Sequence, residues 1–240
     1  MTPAPPTPSP DRPPTRGATV PGHLAVILDG NRRWAEGRNR PLADAYEAGA
    51  ERVRELLTWS EEAGIRFVTV WALSRDNLCR PPRLVEEIVQ AIIKGLWRMA
   101  AEARWPIKVT GSLDLLPHTE QADALRSVER RTADAPGSVL TVAVAYDGRR
   151  DIVAAAAHAS RHPAAEITED LLASYLSTAG HPDIDLLIRT SGEMRLSGFM
   201  PWQSAHAELY FTPVCWPDFD RTQFDRALAA YAERDRRYGL

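Results

Sequence analysis

Short, nearly unbroken apolar runs alternate along this chain with longer stretches in which apolar residues recur every three or four positions. The first run, Leu24-Ala25-Val26-Ile27-Leu28, has the length and continuity of a strand buried on both faces. Runs at 66–73, 106–110, 139–145, 184–188 and 208–211 predict further strands. Between the first two, Leu42, Tyr46, Gly49, Val53, Leu56, Leu57 and Ser60 keep helical spacing, and Gly64 is placed to end a helix over 42–63. Helices are also predicted over 83–103, 119–133, 151–160, 168–177 and 222–237. Strands alternating with helices imply one α/β domain whose mainly parallel sheet is covered on both faces. The 83–103 helix carries Val85, Ile88, Val89, Ile92, Ile93, Leu96, Trp97 and Met99, a stripe wider than one core face requires. Such a helix is either buried nearly all round or forms one wall of an apolar cavity.

The first 20 residues break the pattern. Pro3, Pro5, Pro6, Pro8, Pro10, Pro13 and Pro14 leave few amides for helix or sheet, and almost nothing apolar is available to bury, so 1–20 reads as a disordered tail ahead of a domain over 21–240. It lacks the apolar centre of a signal peptide. A net charge of -3 and a pI near 6.1 give no support to nucleic-acid binding through a broad basic surface. Cys79 and Cys215 stand far apart, against a disulfide framework or thiolate zinc site and in favour of a reducing cytoplasm. No apolar run reaches the ~20 residues that span a bilayer, so membrane contact is expected to be peripheral at most.

The chemistry gathers where strands end. In a parallel sheet, ligands bind beyond the carboxyl ends of the strands. Asp29-Gly30-Asn31-Arg32-Arg33, Ser74 to Arg80, and Arg189 to Ser197 all follow strands, so they are expected at one edge. Arg32, Arg33, Arg80, Arg189 and Arg195 would converge there, and guanidinium forks suit phosphate. Asp29 could hold a divalent cation beside that anion. No Walker loop, dinucleotide glycine fingerprint or GxSxG elbow is present. A phosphate-rich edge beside an apolar compartment suggests a substrate with a diphosphate head and a hydrocarbon body.

Several ordered motifs resemble the cis-prenyltransferases, the family of undecaprenyl diphosphate synthase. They are Asp29-Gly30-Asn31-Arg32-Arg33-Trp34-Ala35, Ser74-Arg75-Asp76-Asn77 with Arg80-Pro81, Arg189 to Ser197, Trp202-Gln203, Glu208-Leu209-Tyr210-Phe211 and Trp216-Pro217-Asp218-Phe219. The resemblance implies a magnesium-dependent cytoplasmic homodimer with a six-stranded, mainly parallel sheet and an apolar tunnel. It implies condensation of an allylic diphosphate (dimethylallyl, geranyl or farnesyl) with isopentenyl diphosphate. By matching positions, Asp29 would bind Mg2+ and assist departure of the allylic diphosphate, and Asn77, near Ser74, would stand where a proton is removed. Gly30, Asn31, Arg32, Arg33 and Trp34 would form the allylic pocket. Ser74, Arg75, Asp76 and Arg80 would contact substrate, as would Arg189, Arg195, Leu196 and Ser197 at the second diphosphate. Glu208 would help hold the metal.

Departures from the family pattern sharpen the expectation. Leu42 and Ala45-Tyr46 stand where an arginine and a Gly-His pair are usual, which removes a diphosphate ligand and a proton partner for the leaving group. Arg38 and Arg40 are the nearby candidates to compensate. Leu78, Met194 and Met200-Pro201 also differ; the Leu42 to Tyr46 pattern, Gly111 to Leu115 and Phe199-Met200-Pro201 resemble the atypical branch that includes cyclolavandulyl diphosphate synthase. With Trp97 and Trp105 as blocking side chains, the expected product is short-chain or irregular. The rivals are regular Z-elongation, a silent partner subunit, and diphosphate hydrolysis or terpene-type cyclisation.

Overall fold

Each apolar run becomes a strand of one sheet in the computed structural model, which describes residues 20–161 and 166–234. The proline-rich segment before Val20 and residues 235–240 lie outside the described residues, and the last helix, predicted to 237, already ends at Ala232. The strands are β1 (His23–Ile27), β2 (Phe67–Trp71), β3 (Ile107–Thr110), β4 (Val139–Ala143), β5 (Leu186–Arg189) and β6 (Glu208–Phe211). They run in the order β3-β4-β2-β1-β5-β6, and every pairing is parallel. The expected fold, a six-stranded sheet flanked by helices, is the fold observed.

Alternation along β1 divides the core. Leu24 and Val26 pack into the larger cluster, and Ala25 and Ile27 into the smaller one on the opposite face. The larger cluster is closed by α2 (Leu42–Glu62), α3 (Pro82–Glu102), α4 (Thr119–Thr132) and α7 (Arg221–Ala232). The smaller one is filled by Tyr146, Phe199 and Met200, with Phe199 stacked on Trp71 at 5.1 Å between ring centroids. The remaining helices are α1 (Asn31–Gly37), α5 (Gly148–Ala159) and α6 (Glu169–Ala173).

Most predicted boundaries shift by one or two residues; the start of α5 and the ends of α6 and α7 differ by more. The helix expected from 151 begins at Gly148, because the Asp147 carboxylate accepts the amide hydrogens of Arg149 and Arg150 and caps the first turn. The 168–177 helix shrinks to Glu169–Ala173, although Thr168 caps it as its residue type favours. Short 3-10 turns at Asp76–Cys79, Leu113–Leu115 and Trp216–Asp218 have no apolar period and were not anticipated. Among the described residues no helix is long and apolar enough to cross a membrane.

Strand order reverses at β1. From β1 the chain places β2 beside it, goes out to the edge with β3, comes back to insert β4 between the two, then crosses to place β5 and β6 on the other side. The segments following β1, β2 and β5 therefore meet at one edge.

Candidate active site

The turn after β1 needs glycine. Gly30 has φ 104°, and a Cβ there would sit 2.8 Å from the Ser191 hydroxyl oxygen and 3.0 Å from Cys215 Cα. The close approach packs the turn against the segment that follows β5. Thr190 sews the two together: its hydroxyl donates to the Asp29 carbonyl at 2.7 Å and accepts the Asp29 amide hydrogen at 3.0 Å.

Asp29 is thereby presented at the sheet edge with its side chain about a third exposed. One carboxylate oxygen accepts the Gly30 amide hydrogen at 2.8 Å, and the other accepts from Arg189 Nη2 at 2.9 Å. Arg189 is buried; its Nη1 donates to the Ser197 hydroxyl at 2.9 Å and to the Arg195 carbonyl at 2.5 Å. Its Nε–H has no partner among the described residues. Most of its donors thus hold the site together and are not open to an anion.

Opposite, Ser74 and Asn77 fix the loop after β2 reciprocally. The Asn77 amide donates to Ser74 Oγ at 3.1 Å, and Asn77 Oδ1 accepts the Ser74 amide hydrogen at 3.4 Å. Together these segments and α2 wall a polar cleft lined by Asp29, Gly30, Asn31, Arg32, Arg33, Ser74, Asn77, Arg80, Arg189 and Ser197. Ten of the sequence-predicted residues therefore converge.

Others do not reach the cleft. Trp34 projects from α1 toward the Trp216–Asp218 turn, where its indole Nε1–H donates to Asp218 at 2.8 Å. Arg75 and Asp76 open the 3-10 turn without lining the cleft. Arg195 pairs with Glu193 at 2.5 Å, and Arg33 reaches the same carboxylate at 3.0 Å. These guanidinium groups, Arg195 foremost, hold the Glu193 carboxyl below its ordinary pKa. Leu196 packs against the smaller core cluster. Glu208 opens β6 opposite Leu186, which pairs with Leu24, so it lies toward the far edge of the sheet from Asp29. Its carboxylate faces Arg234 at 3.5 Å instead.

Neither Arg38 nor Arg40 takes the place of the missing arginine. Leu42 lines the cleft, while Arg38 is drawn to Asp218 at 2.9 Å and over the Trp34 ring at 4.8 Å, and Arg40 faces Asp44 at 3.7 Å. Among these residues no group of three or more His, Cys, Asp or Glu side chains could hold a metal. Asp29 is the one carboxylate in the cleft lining. Magnesium is commonly held by one or two carboxylates together with waters and substrate phosphates, so this donor set suits it only with a diphosphate present.

Behind the cleft lies an apolar cavity of about 70 Å³, walled by Ile88, Ala91, Ile92, Gly95, Leu96 and Met99 of α3, by Ala50 and Val53 of α2, and by Val70 and Val142 of the sheet. The wide stripe of α3 thus serves both ends: Val85 and Val89 are core, and the adjoining positions are cavity wall. The tryptophans expected to block it do not. Trp97 lies on the outer face of α3, 39% exposed, and Trp105 is buried beneath Arg104, outside the cavity lining.

A parallel α/β sheet carrying an arginine-lined cleft that opens into an apolar compartment defines a class of protein that takes a charged head and a hydrocarbon tail. Residues 27–239 match the family model for undecaprenyl diphosphate synthases, and the chain belongs to that prenyltransferase family. It is 45% identical to a (2Z,6E)-farnesyl diphosphate synthase of Thermobifida fusca, covering 92% of this chain and 91% of the relative. It is 42% identical to isoprenyl transferase 1 of Streptomyces avermitilis, covering 92% and 89%. Among solved structures, lavandulyl diphosphate synthase from Lavandula x intermedia in complex with dimethylallyl diphosphate superposes with TM-score 0.87 at 32% identity, covering 92% of this chain and 99% of that one.

Proposed function

We propose that this prenyltransferase joins short isoprenoid diphosphates, with an allylic C5 unit ionising at Asp29–Arg33 and a short-chain or irregular diphosphate as product. The observation that carries this reading is the direct junction of an arginine-lined cleft with a cavity lined almost wholly by apolar side chains. The structural relative named as a lavandulyl diphosphate synthase supports the same reading.

In this reading Arg32, Arg33 and Arg80 bind the allylic diphosphate, and Arg189 fixes Asp29 beside it. Mg2+ held by Asp29 and diphosphate oxygens would supply charge neutralisation as the carbon–oxygen bond breaks. The apolar cavity keeps water from the allylic cation. Asn77 and Ser74 orient the second C5 substrate, isopentenyl or dimethylallyl diphosphate, whose own diphosphate lies toward Ser197. Arg195 joins that pocket only by exchanging Glu193 for substrate. Assembly as a cytoplasmic homodimer is part of the same proposal, taken from the family resemblance.

Regular Z-elongation is the second reading, favoured by the Thermobifida relative's name. Incubation with Mg2+ and dimethylallyl diphosphate, alone and with isopentenyl diphosphate, followed by mass spectrometry and product regiochemistry, tests both. A coupled product from dimethylallyl diphosphate alone indicates irregular coupling, and a C10 or C15 Z-product that needs isopentenyl diphosphate indicates regular elongation. Products of C50 or longer overturn the short-chain reading.

A further inference from the structure

The polar cleft and the apolar cavity share five lining residues, Leu28, Asn31, Tyr46, Ala72 and Ile88. A ligand with its head in the cleft and its tail in the cavity must pass between them. Tyr46 is the one aromatic residue in this neck and its bulkiest side chain. Its backbone has little room to yield. Ala45 beside it is fully buried, and Gly49 one turn later is wedged so that a Cβ would lie 2.9 Å from Asn31 Oδ1 and 3.1 Å from Trp216 Cδ1. Trp216 also donates its indole N–H to the Gly49 carbonyl at 2.9 Å. The ring is therefore carried on a pinned stretch of α2.

The phenol suits such a place. Burial raises its pKa, against the opposing pull of Arg80 and Arg32, so it stays neutral at physiological pH. No hydrogen bond ties it to another described residue. The ring can meet a hydrocarbon tail while the hydroxyl remains free for a diphosphate oxygen.

We propose that Tyr46 is the tail-length selector of this site: its ring narrows the neck so that a short allylic tail seats with its diphosphate in the cleft and a longer one does not. This rests on the reading of the cleft as an isoprenoid diphosphate site, but concerns which tail fits and not the reaction that follows. The competing location for selection is the cavity itself, where Met99 of α3 is part of the wall.

The test is calorimetric binding of the non-ionisable thiolodiphosphate analogues of dimethylallyl, geranyl and farnesyl diphosphate to the full chain with Mg2+. The parent is expected to prefer the C5 analogue to the C15. Tyr46→Ala should shift that preference toward C15 by about tenfold or more, the order of discrimination a few methylenes provide. Tyr46→Phe should keep the parent's tail preference while weakening all three analogues together, and Tyr46→Trp should tighten selection against C10. Melting temperatures identify any variant that fails to fold, and the Phe and Trp substitutions, which conserve an aromatic ring, then carry the test. If Met99→Ala shifts the preference and none of the Tyr46 variants does, selection lies in the cavity itself and the proposal is wrong. A parent that binds C5 and C15 equally also overturns it. A parent that binds the analogues selectively yet couples no substrates overturns the condensation reading and leaves the neck assignment supported.

Discussion

At the scale of single residues, the site depends on one buried cation and one partly exposed anion. Arg189 is 5% exposed and spends its guanidinium on Asp29, Ser197 and the Arg195 carbonyl. Removing one partner of such a pair leaves charge uncompensated, which costs more than the pair itself contributes. Asp29→Asn keeps the shape and a hydrogen bond to Arg189 but removes the charge that would share a metal with diphosphate. Turnover with dimethylallyl and isopentenyl diphosphates is expected to fall about 10²–10³-fold, the scale of losing one preorganised electrostatic contact. Steady-state kinetics checks this, with circular dichroism confirming a folded variant; a drop of less than fivefold would show that Asp29 is not where the leaving group is stabilised. The sequence placed Asp29 correctly because an acidic residue directly after a buried run has one edge to occupy. It could not show that Glu193 would claim Arg33 and Arg195, since that contact depends on how the 189–197 loop folds back.

At the scale of elements, α1 is held between α2 and the 3-10 turn before α7, and both contacts are tight. Gly49 is the pinch point: a methyl group there would press on Asn31 and Trp216. Overpacking of this kind costs about 1–3 kcal/mol, partly offset by the roughly 1 kcal/mol that alanine gains over glycine in a helix. Gly49→Ala is expected to lower the melting temperature modestly and to weaken diphosphate binding more, because the displaced element carries Asn31, Arg32 and Arg33. Unchanged diphosphate affinity, measured by calorimetry, would sink that coupling. The opposite end of β1 carries a different constraint. His23 is buried, its Nδ1–H donating to the Pro182 carbonyl at 2.8 Å and its Nε2 accepting from the Thr69 hydroxyl at 2.8 Å. Burial is the main reason its pKa is lowered to about 4. The folded state thus favours neutral His23 while the unfolded chain protonates near the ordinary value of 6.5. The stability this gives is complete above about pH 6.5 and is lost as pH falls toward 4, amounting to roughly 3 kcal/mol. Thermal melts between pH 7 and 4.5 should show a shallower fall for His23→Asn, which retains a donor but does not titrate; parallel slopes would refute the assignment. The element pattern was largely legible in sequence because buried parallel strands are continuous apolar runs. The start of α5 was not, since Asp147 acts as a cap only through a local geometry that apolar periodicity does not register.

At the scale of the whole molecule, the sheet separates residues that the family motifs group together. Glu208 enters β6 at the level of Leu186 and Leu24, five residues before Asp29. At about 3.3 Å per residue that is roughly 16 Å along the strand direction. Sequence order gives no hint of this, because the motif holding Glu208 begins a strand whereas the other motifs follow one. Likewise, the outward turn of Trp97 follows from the helical phase of α3 against α2 and the sheet, with cavity-facing Leu96 and Met99 on either side of it in sequence. Leu42 and Tyr46 stood out as departures from a pattern, and only the packing of α2 over the edge of β1 gives them a place in the cleft wall. The separation of the two carboxylates has a measurable consequence. Within one chain, the proposed Mg2+ that accompanies the allylic diphosphate would depend on Asp29 and not on Glu208, whose carboxylate faces Arg234. Glu208→Gln is therefore expected to change the Mg2+-dependent affinity for dimethylallyl thiolodiphosphate by less than about twofold, whereas Asp29→Asn removes most of the Mg2+ dependence, as screened cross-sheet charges should behave. Calorimetric titrations with and without EDTA decide it. An equal loss in the Glu208 variant would mean that the carboxylate reaches the allylic head by a route a single chain does not provide.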